Sequence, residues 1–258
     1  MKPLVKKQQG LSLVELLIAM GLGLLLTVGG LQMMLASQNI YRTTDSLSRI
    51  QESGRFALAF LAQDIRMAGY NTEDSIALYD LNCDSFSPCT ADGGGAVSDR
   101  IAIMLEPRQA MDCLGNTVAK PKDVVNVYYL QTTSNISSLY CRGYNPSAKL
   151  WNGAGQPLID GVENFQILYG LKNEDSDGKI QFIERYVPAS DGLDYSNVAA
   201  VRIALLVNNG QANGSGDRAL RNFTLLNAPQ QLFNDNHERQ IYTTTIAINN
   251  AVYVKTPQ

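Results

Sequence analysis

The chain has 258 residues, 45% of them hydrophobic and 17% charged, with a formal net charge of −3. That length suits one membrane element plus one globular domain with a core of its own. Without residues 1–10, which carry Lys2, Lys6 and Lys7 and no acid, 18 basic residues face 24 acidic ones, a balance that argues against nucleic acid or anionic lipid headgroups as binding partners.

Residues 1–10 read MKPLVKKQQG, a short basic stretch that is not apolar. Residues 11–36, LSLVELLIAMGLGLLLTVGGLQMMLA, hold one ionisable group, Glu15. Twenty-six residues of helix reach ~39 Å, enough to cross a hydrocarbon core of ~30 Å. Lysines ahead of the span keep the N-terminus cytoplasmic and send the rest outside. A secretory signal places its small cleavage residue after the apolar run, whereas here Gly10 lies before it, so cleavage at Gly10 would remove the leader and leave the helix. A carboxylate inside a membrane span costs ~2.5–3.5 kcal/mol or more, which marks Glu15 as a functional candidate; the plainer reading is that it snorkels at the headgroup boundary. Gly21, Gly23, Gly29 and Gly30 also lie in the span. They allow either local bending or close packing between membrane helices.

Residues 37–69 continue as an amphipathic helix. Leu47, Ile50, Gly54, Leu58, Leu61 and Ile65 form one stripe at spacings of three or four. Asp45 and Arg49 make an i,i+4 pair in the favourable order. No proline interrupts, so one helix is expected from about Leu11 to Met67, with Gly69 as its stop. From residue 70 to the end a β-rich domain is expected. Residues 71–98 read as loop. Strands are predicted at Arg100–Leu105, Val124–Gln131, Gly161–Leu171, Ile180–Val187, Val198–Asn208, Phe223–Leu226 and Tyr242–Val254, from β-branched and aromatic runs bounded by Gly, Asn, Asp or Pro. A long helix followed by strands is an α+β class chain.

Four cysteines, Cys83, Cys89, Cys113 and Cys141, all follow the apolar segment, as expected for two disulfides in an oxidising compartment. Among three pairings, Cys83–Cys89 with Cys113–Cys141 is favoured because each closes a short loop. Without C-x-x-C spacing and with a single histidine, His237, a zinc site is not expected. NEDSDGKIQFIE, residues 173–184, matches the spacing of a calcium loop through Asn173, Asp175, Asp177, Gly178 and Glu184, with the Lys179 carbonyl where a backbone ligand is needed. Strand-like flanks offer the alternative of a hydrophilic hairpin tip with Asx turns. Calcium is the one cofactor the sequence suggests. A Ser-His-Asp site would depend on His237 in a polar loop, and Gly93–Gly95 lacks the ending of a phosphate loop, so no enzyme is expected.

The order G-L-S-L-V-E, then about twenty apolar residues, resembles the leader of type IV prepilins. The run GRFALAFLAQDIRMAGY, Gly54 to Tyr70, resembles the end of the helix in PilW proteins. Leu158–Gly170, Val198–Val207 and Thr243–Asn250 resemble PilW strands. The resemblance implies a type IV pilin fold, a long helix packed on an antiparallel sheet. It implies cleavage between Gly10 and Leu11 by a prepilin peptidase and N-methylation of Leu11, where the family more often has Phe. Glu15, fifth in the mature chain, would pair with the new amine of a neighbouring subunit and set helix register. The implied role is a minor pilin held in the inner membrane, its globular domain periplasmic, that primes pilus assembly at or near the tip and supports twitching motility and adhesion. Implied partners are other minor pilins, the major pilin and the inner-membrane assembly platform. A J-type pseudopilin of type II secretion shares leader and fold and stays open as an alternative. So does a membrane-anchored, calcium-dependent adhesin that never polymerises.

Overall fold

The computed structural model describes residues 12–72, 77–94, 97–107, 110–118, 124–175, 180–190, 192–210 and 219–252. The chain divides into two compact units between Asp45 and Ser46. Helix α1 (Leu13–Met67) starts in the first and ends in the second.

In the first unit α1 is exposed throughout, with Leu24, Leu25 and Leu26 between 66% and 78% accessible. The helix runs unbroken through Gly21, Gly23, Gly29 and Gly30, and a Cβ added at any of them would meet nothing within 4 Å. Thr27, Thr43 and Thr44 turn their hydroxyls back onto the carbonyls of Leu24, Asn39 and Ile40. This satisfies the hydroxyls without a partner chain.

In the second unit α1 buries Ser46, Ile50, Gly54, Ala57, Leu61 and Ile65. The stripe differs from the expected one at two places: Leu47 is 41% exposed and Leu58 is only partly buried. The reason is size. Ser46, Gly54 and Ala57 let the helix lie close to the strands beneath, whereas leucines on that line would hold it off. At Gly54 a Cβ would stand 2.5 Å from the Tyr242 ring, so this glycine is required by packing. Gly69 ends the helix at φ 73°. Asn250 Nδ2 donates to the freed carbonyls of Met67 and Ala68, at 3.3 and 3.0 Å.

Two antiparallel sheets follow. The first holds β1 (Ile101–Leu105), β2 (Val124–Thr133), β3 (Ile136–Asn145), β4 (Leu150–Trp151) and β5 (Gln156–Asp160), in the order β1-β2-β3-β4 with β5 also paired to β3. The second, in the order β11-β8-β6-β7, holds β6 (Val162–Glu174), β7 (Ile180–Val187), β8 (Val198–Asn208) and β11 (Arg239–Ala247). A separate hairpin joins β9 (Ala219–Phe223) to β10 (Gln231–Asp235). The α1 stripe, Ile101 and Ile103, Leu139, Phe165 and Ile167, and Ile203 and Leu205 form one core. Strand β8 is buried on both faces, because Ala204 and Leu206 pack under Leu225, Ala228, Phe223 and Phe233. That double burial is why it reads as an unbroken apolar run. The chain is α+β, a single long helix followed by antiparallel sheets.

The structure departs from the expected strands in three places. Strands β3 and β4 stand where none was expected, and β5 splits off the start of the Leu158–Gly170 stretch from β6; β2 and β3 are joined through Ser134 and Asn135, both at positive φ, as a two-residue hairpin of this kind requires. The strand expected at Phe223–Leu226 is instead the β9–β10 hairpin. The last strand ends at Ala247 and passes into a 3-10 turn, Asn249–Val252; Tyr253 and Val254 lie outside the described residues.

Candidate functional site: the N-terminal helix and its joint with the sheets

Helix bonding reaches back to the carbonyl of Ser12, which accepts from Leu16 N at 3.1 Å. Glu15 therefore sits in the first turn of α1, where a negative charge complements the helix dipole. Its neighbours Leu13, Val14, Leu16 and Leu17 are 51–74% exposed. By length and composition α1 is the one helix among the described residues able to cross a membrane. An exposed apolar surface this continuous needs lipid or other helices to cover it. Gly10 and Leu11 lie outside the described residues.

At the other end of α1, Asp64 ties helix to sheet. Its Oδ2 accepts from Asn126 Nδ2 and from Tyr128 Oη, both at 2.7 Å. Asn126 Oδ1 in turn accepts from Cys113 N at 3.0 Å. Burial raises the Asp64 carboxyl above its ordinary range, and the bonds from Tyr128 and Asn126 oppose the rise. The structure joins Cys113 to Cys141 and Cys83 to Cys89. The first bond fixes the loop that carries Cys113 and Asp112 onto β3. The second closes a six-residue loop whose carbonyls at Pro88 and Cys89 accept from Arg100, at 2.6 and 2.8 Å. The sequence does not single out the Asp64 joint, because a polar residue beside an apolar helix stripe reads as the solvent face.

Asp99 joins the two sheets. Its backbone N donates to Phe165 O, and its carboxylate accepts from Gly93 N at 2.9 Å and Ile167 N at 2.6 Å. Burial raises the carboxyl to about 7; the two backbone bonds oppose the rise and the nearby Asp92 adds to it. A folded-state value above the unfolded one means that this group favours the fold fully below about 4 and loses that contribution as pH rises to about 7. The expected result is a thermal midpoint that declines between pH 4 and 7, with roughly 2–4 kcal/mol of stability lost over that range. In Asp99→Asn the slope should flatten; a parent and variant with the same slope would assign the pH dependence elsewhere.

Of the calcium candidates the structure describes Asn173, Asp175 and Glu184, and these three form no metal-holding group. Asn173 pairs with Phe182 and Glu174 with Ile180, so the ladder of β6 and β7 runs on into the segment where a calcium loop would curl. Glu184 stays within β7, and Asp175 Oδ2 accepts from Gln181 Nε2 at 2.7 Å. Asp177 and Lys179 lie outside the described residues. Among the described residues no group of three or more His, Cys, Asp or Glu side chains is placed to hold a metal ion. Backbone pairing of β6 with β7 holds Asn173 and Glu174 on the described ladder. His237 N donates to Asp235 Oδ1 at 3.1 Å, and its carbonyl accepts from Arg221.

Comparison with known proteins follows from this geometry. The model of the prokaryotic N-terminal methylation motif matches residues 5–31, the stretch that includes Gly10, Leu11 and Glu15. The model described as type IV pilus-assembly protein W matches residues 127–250, from β2 to the final 3-10 turn. A solved type IV-like pilin from Thermus thermophilus is similar at 15% identity with a TM-score of 0.48, covering 80% of this chain and 99% of its own. No curated protein matches the chain. The chain thus matches the PilW family pattern across its sheets and the prepilin-type methylation motif at its N-terminal helix, the combination found in a PilW-family prepilin-type protein.

Proposed function

We propose that this protein is a minor pilin that primes type IV pilus assembly from the inner membrane and ends at or near the fibre tip. The observation that carries the reading is the methylation motif at residues 5–31 running directly into a helix whose apolar surface is uncovered. In this reading residues 1–10 are a leader removed by a prepilin peptidase, and Leu11 is methylated on its new amine. Residues 11–36 are the transmembrane and polymerisation segment, residues 37–69 its amphipathic continuation, and residues 70–258 the periplasmic domain. Glu15 pairs with the Leu11 amine of an adjacent subunit. Partners are the major pilin, the other minor pilins and the assembly platform; the fibre then serves twitching motility and adhesion. Support for close helix packing comes from Gly21, Gly23, Gly29 and Gly30, which no contact among the described residues requires.

Deletion of the gene tests the role. Loss of surface fibres and twitching, with type II secretion intact, is the expected outcome. Lost secretion with normal fibres would assign the chain to the pseudopilins instead.

A further inference from the structure

Strand β11 is an edge of the second sheet, paired with β8 on one side only. The bond from Ile248 N to Ala199 O, 2.9 Å, fixes the alternation along it. Gln240, Tyr242, Thr244 and Ile246 turn their backbone N–H and C=O toward β8, and Ile241, Thr243 and Thr245 turn theirs outward. Among the described residues nothing bonds to those three outward pairs. The other edges of the two sheets are guarded. The β7 ladder shifts register twice and carries Glu184 and Arg185. On β1, Ala102 O accepts from Tyr79 N and Met104 N donates to Ala77 O. Strand β4 has two residues, and β5 includes Pro157. Strand β11 keeps one register through nine residues without proline, and its one charge, Arg239, is buried against Glu163 and Asp235. Beside this edge lies a groove of about 990 Å³, with Phe56, Ala59, Ala62 and Met67 of α1 on one side and Thr244 and Ile246 of β11 on the other. No residue of β6 or β8 lines it, so it opens past the edge, and Phe56 is 51% exposed.

We propose that β11 takes an added antiparallel strand: an extended segment of another protein chain, apolar at every second residue. A row of N–H and C=O groups repeating along a sheet edge is matched in register by another strand, so the occupant is a peptide backbone and not a helix, a lipid or an ion. In antiparallel pairing, residues opposite Tyr242, Thr244 and Ile246 lie on the α1 side. Alternate apolar side chains of the segment would then fill the groove and cover Phe56. Arg55 and Arg66, both exposed, line the same groove and suit a carboxylate within the segment. The pairing does not depend on the minor-pilin reading.

The test follows amide hydrogen exchange by NMR in the full-length protein in zwitterionic micelles. In the protein alone, the amides of Ile241, Thr243 and Thr245 should exchange at least tenfold faster than those of Tyr242 and Thr244. The probe is a short synthetic peptide of alternating valine and threonine closed by glutamates. It should slow the three outward amides saturably and at least tenfold. With its valines in the groove the peptide pairs through its threonine nitrogens. Methylating those nitrogens should abolish the protection, and methylating the valine nitrogens should leave it. Thr243→Pro removes one outward N–H while sparing the bonds to β8, and should abolish the protection of Ile241 and Thr245. Should that variant not fold, Phe56→Glu serves, because it leaves the edge intact and places a charge in the groove; it should weaken peptide binding at least tenfold. Outward amides already protected without peptide, equal protection by both methylated peptides, or an undiminished response in both variants would overturn the added strand. In intact cells a photo-crosslinker at position 247 should join a segment of another chain that is apolar at alternate residues, and Thr243→Pro should abolish the product. A product mapping to residues 253–258 of this same chain would overturn the assigned partner.

Discussion

Glu15→Ala is expected to leave the protein in the membrane and to lower its incorporation into fibres by more than tenfold. The two effects separate because they depend on different free energies. Insertion depends on transfer of the span from water, and removing a carboxylate that costs ~2.5–3.5 kcal/mol makes that transfer easier. In the proposed function, assembly depends on a pairing between the Glu15 carboxylate and a neighbour's amine, in surroundings of low dielectric where an ion pair is worth several times its value in water. Glu15 stands in the first turn of α1 among exposed apolar neighbours, so within the described chain the side chain has no packing role to confuse the result. Glu15→Asp keeps the charge on a shorter stem and should retain part of the incorporation. Membrane fractionation and immunoblots of sheared fibres read the two quantities. Normal fibres from Glu15→Ala would remove the register role from this residue.

The second large effect is on the fold. Arg239 has a side chain only 2% exposed and forks onto two carboxylates. It meets Glu163 through Nε and Nη2, and Asp235 through Nη1 at 2.6 Å and Nη2 at 2.8 Å. Its guanidinium lies 3.9 Å from the centre of the Phe233 ring. One side chain thereby joins β11, β6 and β10. Burial alone would lower the Arg239 pKa, but the bonds to Asp235 and Glu163 outweigh it and raise the value; Arg239 in turn holds Asp235 down at about 2. Arg239→Met removes the cation and leaves both acids facing each other. The expected cost is roughly 3–5 kcal/mol, nearer the lower figure because Asp235 is partly solvated. At about 2–4 °C per kcal/mol for a domain of this size, the midpoint should drop by about 10 °C. Arg239→Lys should recover little, since an ammonium cannot make the paired fork. Adding Glu163→Gln and Asp235→Asn to Arg239→Met should restore part of the loss, as expected where the cost comes from stranded charge. A midpoint unchanged in Arg239→Met would contradict this account of the hairpin's attachment.

How much of this is legible in the sequence varies along the chain for physical reasons. The long helix is written plainly, because its apolar run and its later stripe both keep a period near 3.6 and no proline intervenes. Strands β7 and β8 are legible to the residue, since each is bounded by turn residues and rich in β-branched side chains. Strand β3 is not. Its ISSLYCRGYN carries serines and a glycine, and its turn is Ser134-Asn135, not Asn-Gly. The β9–β10 hairpin hides for another reason: its apolar residues cover the back of β8, a role that appears only once β8 is seen to be buried on both faces. The calcium pattern is a match of spacing alone: Asn173 lies on the β6–β7 ladder and Glu184 within β7, while Asp177 and Lys179 lie outside the described residues. Asp64 lay in view inside GRFALAFLAQDIRMAGY, yet nothing local reveals that Asn126 and Tyr128, some sixty residues on, both donate to it.

Mass spectrometry of the mature N-terminus, on protein taken from the membranes of fibre-forming cells, probes the central idea most directly. A first residue of Leu11, heavier by one methyl group on its amine, is the predicted result. A chain that still begins at Met1, or one that starts beyond Ala36 with the apolar helix gone, would contradict it.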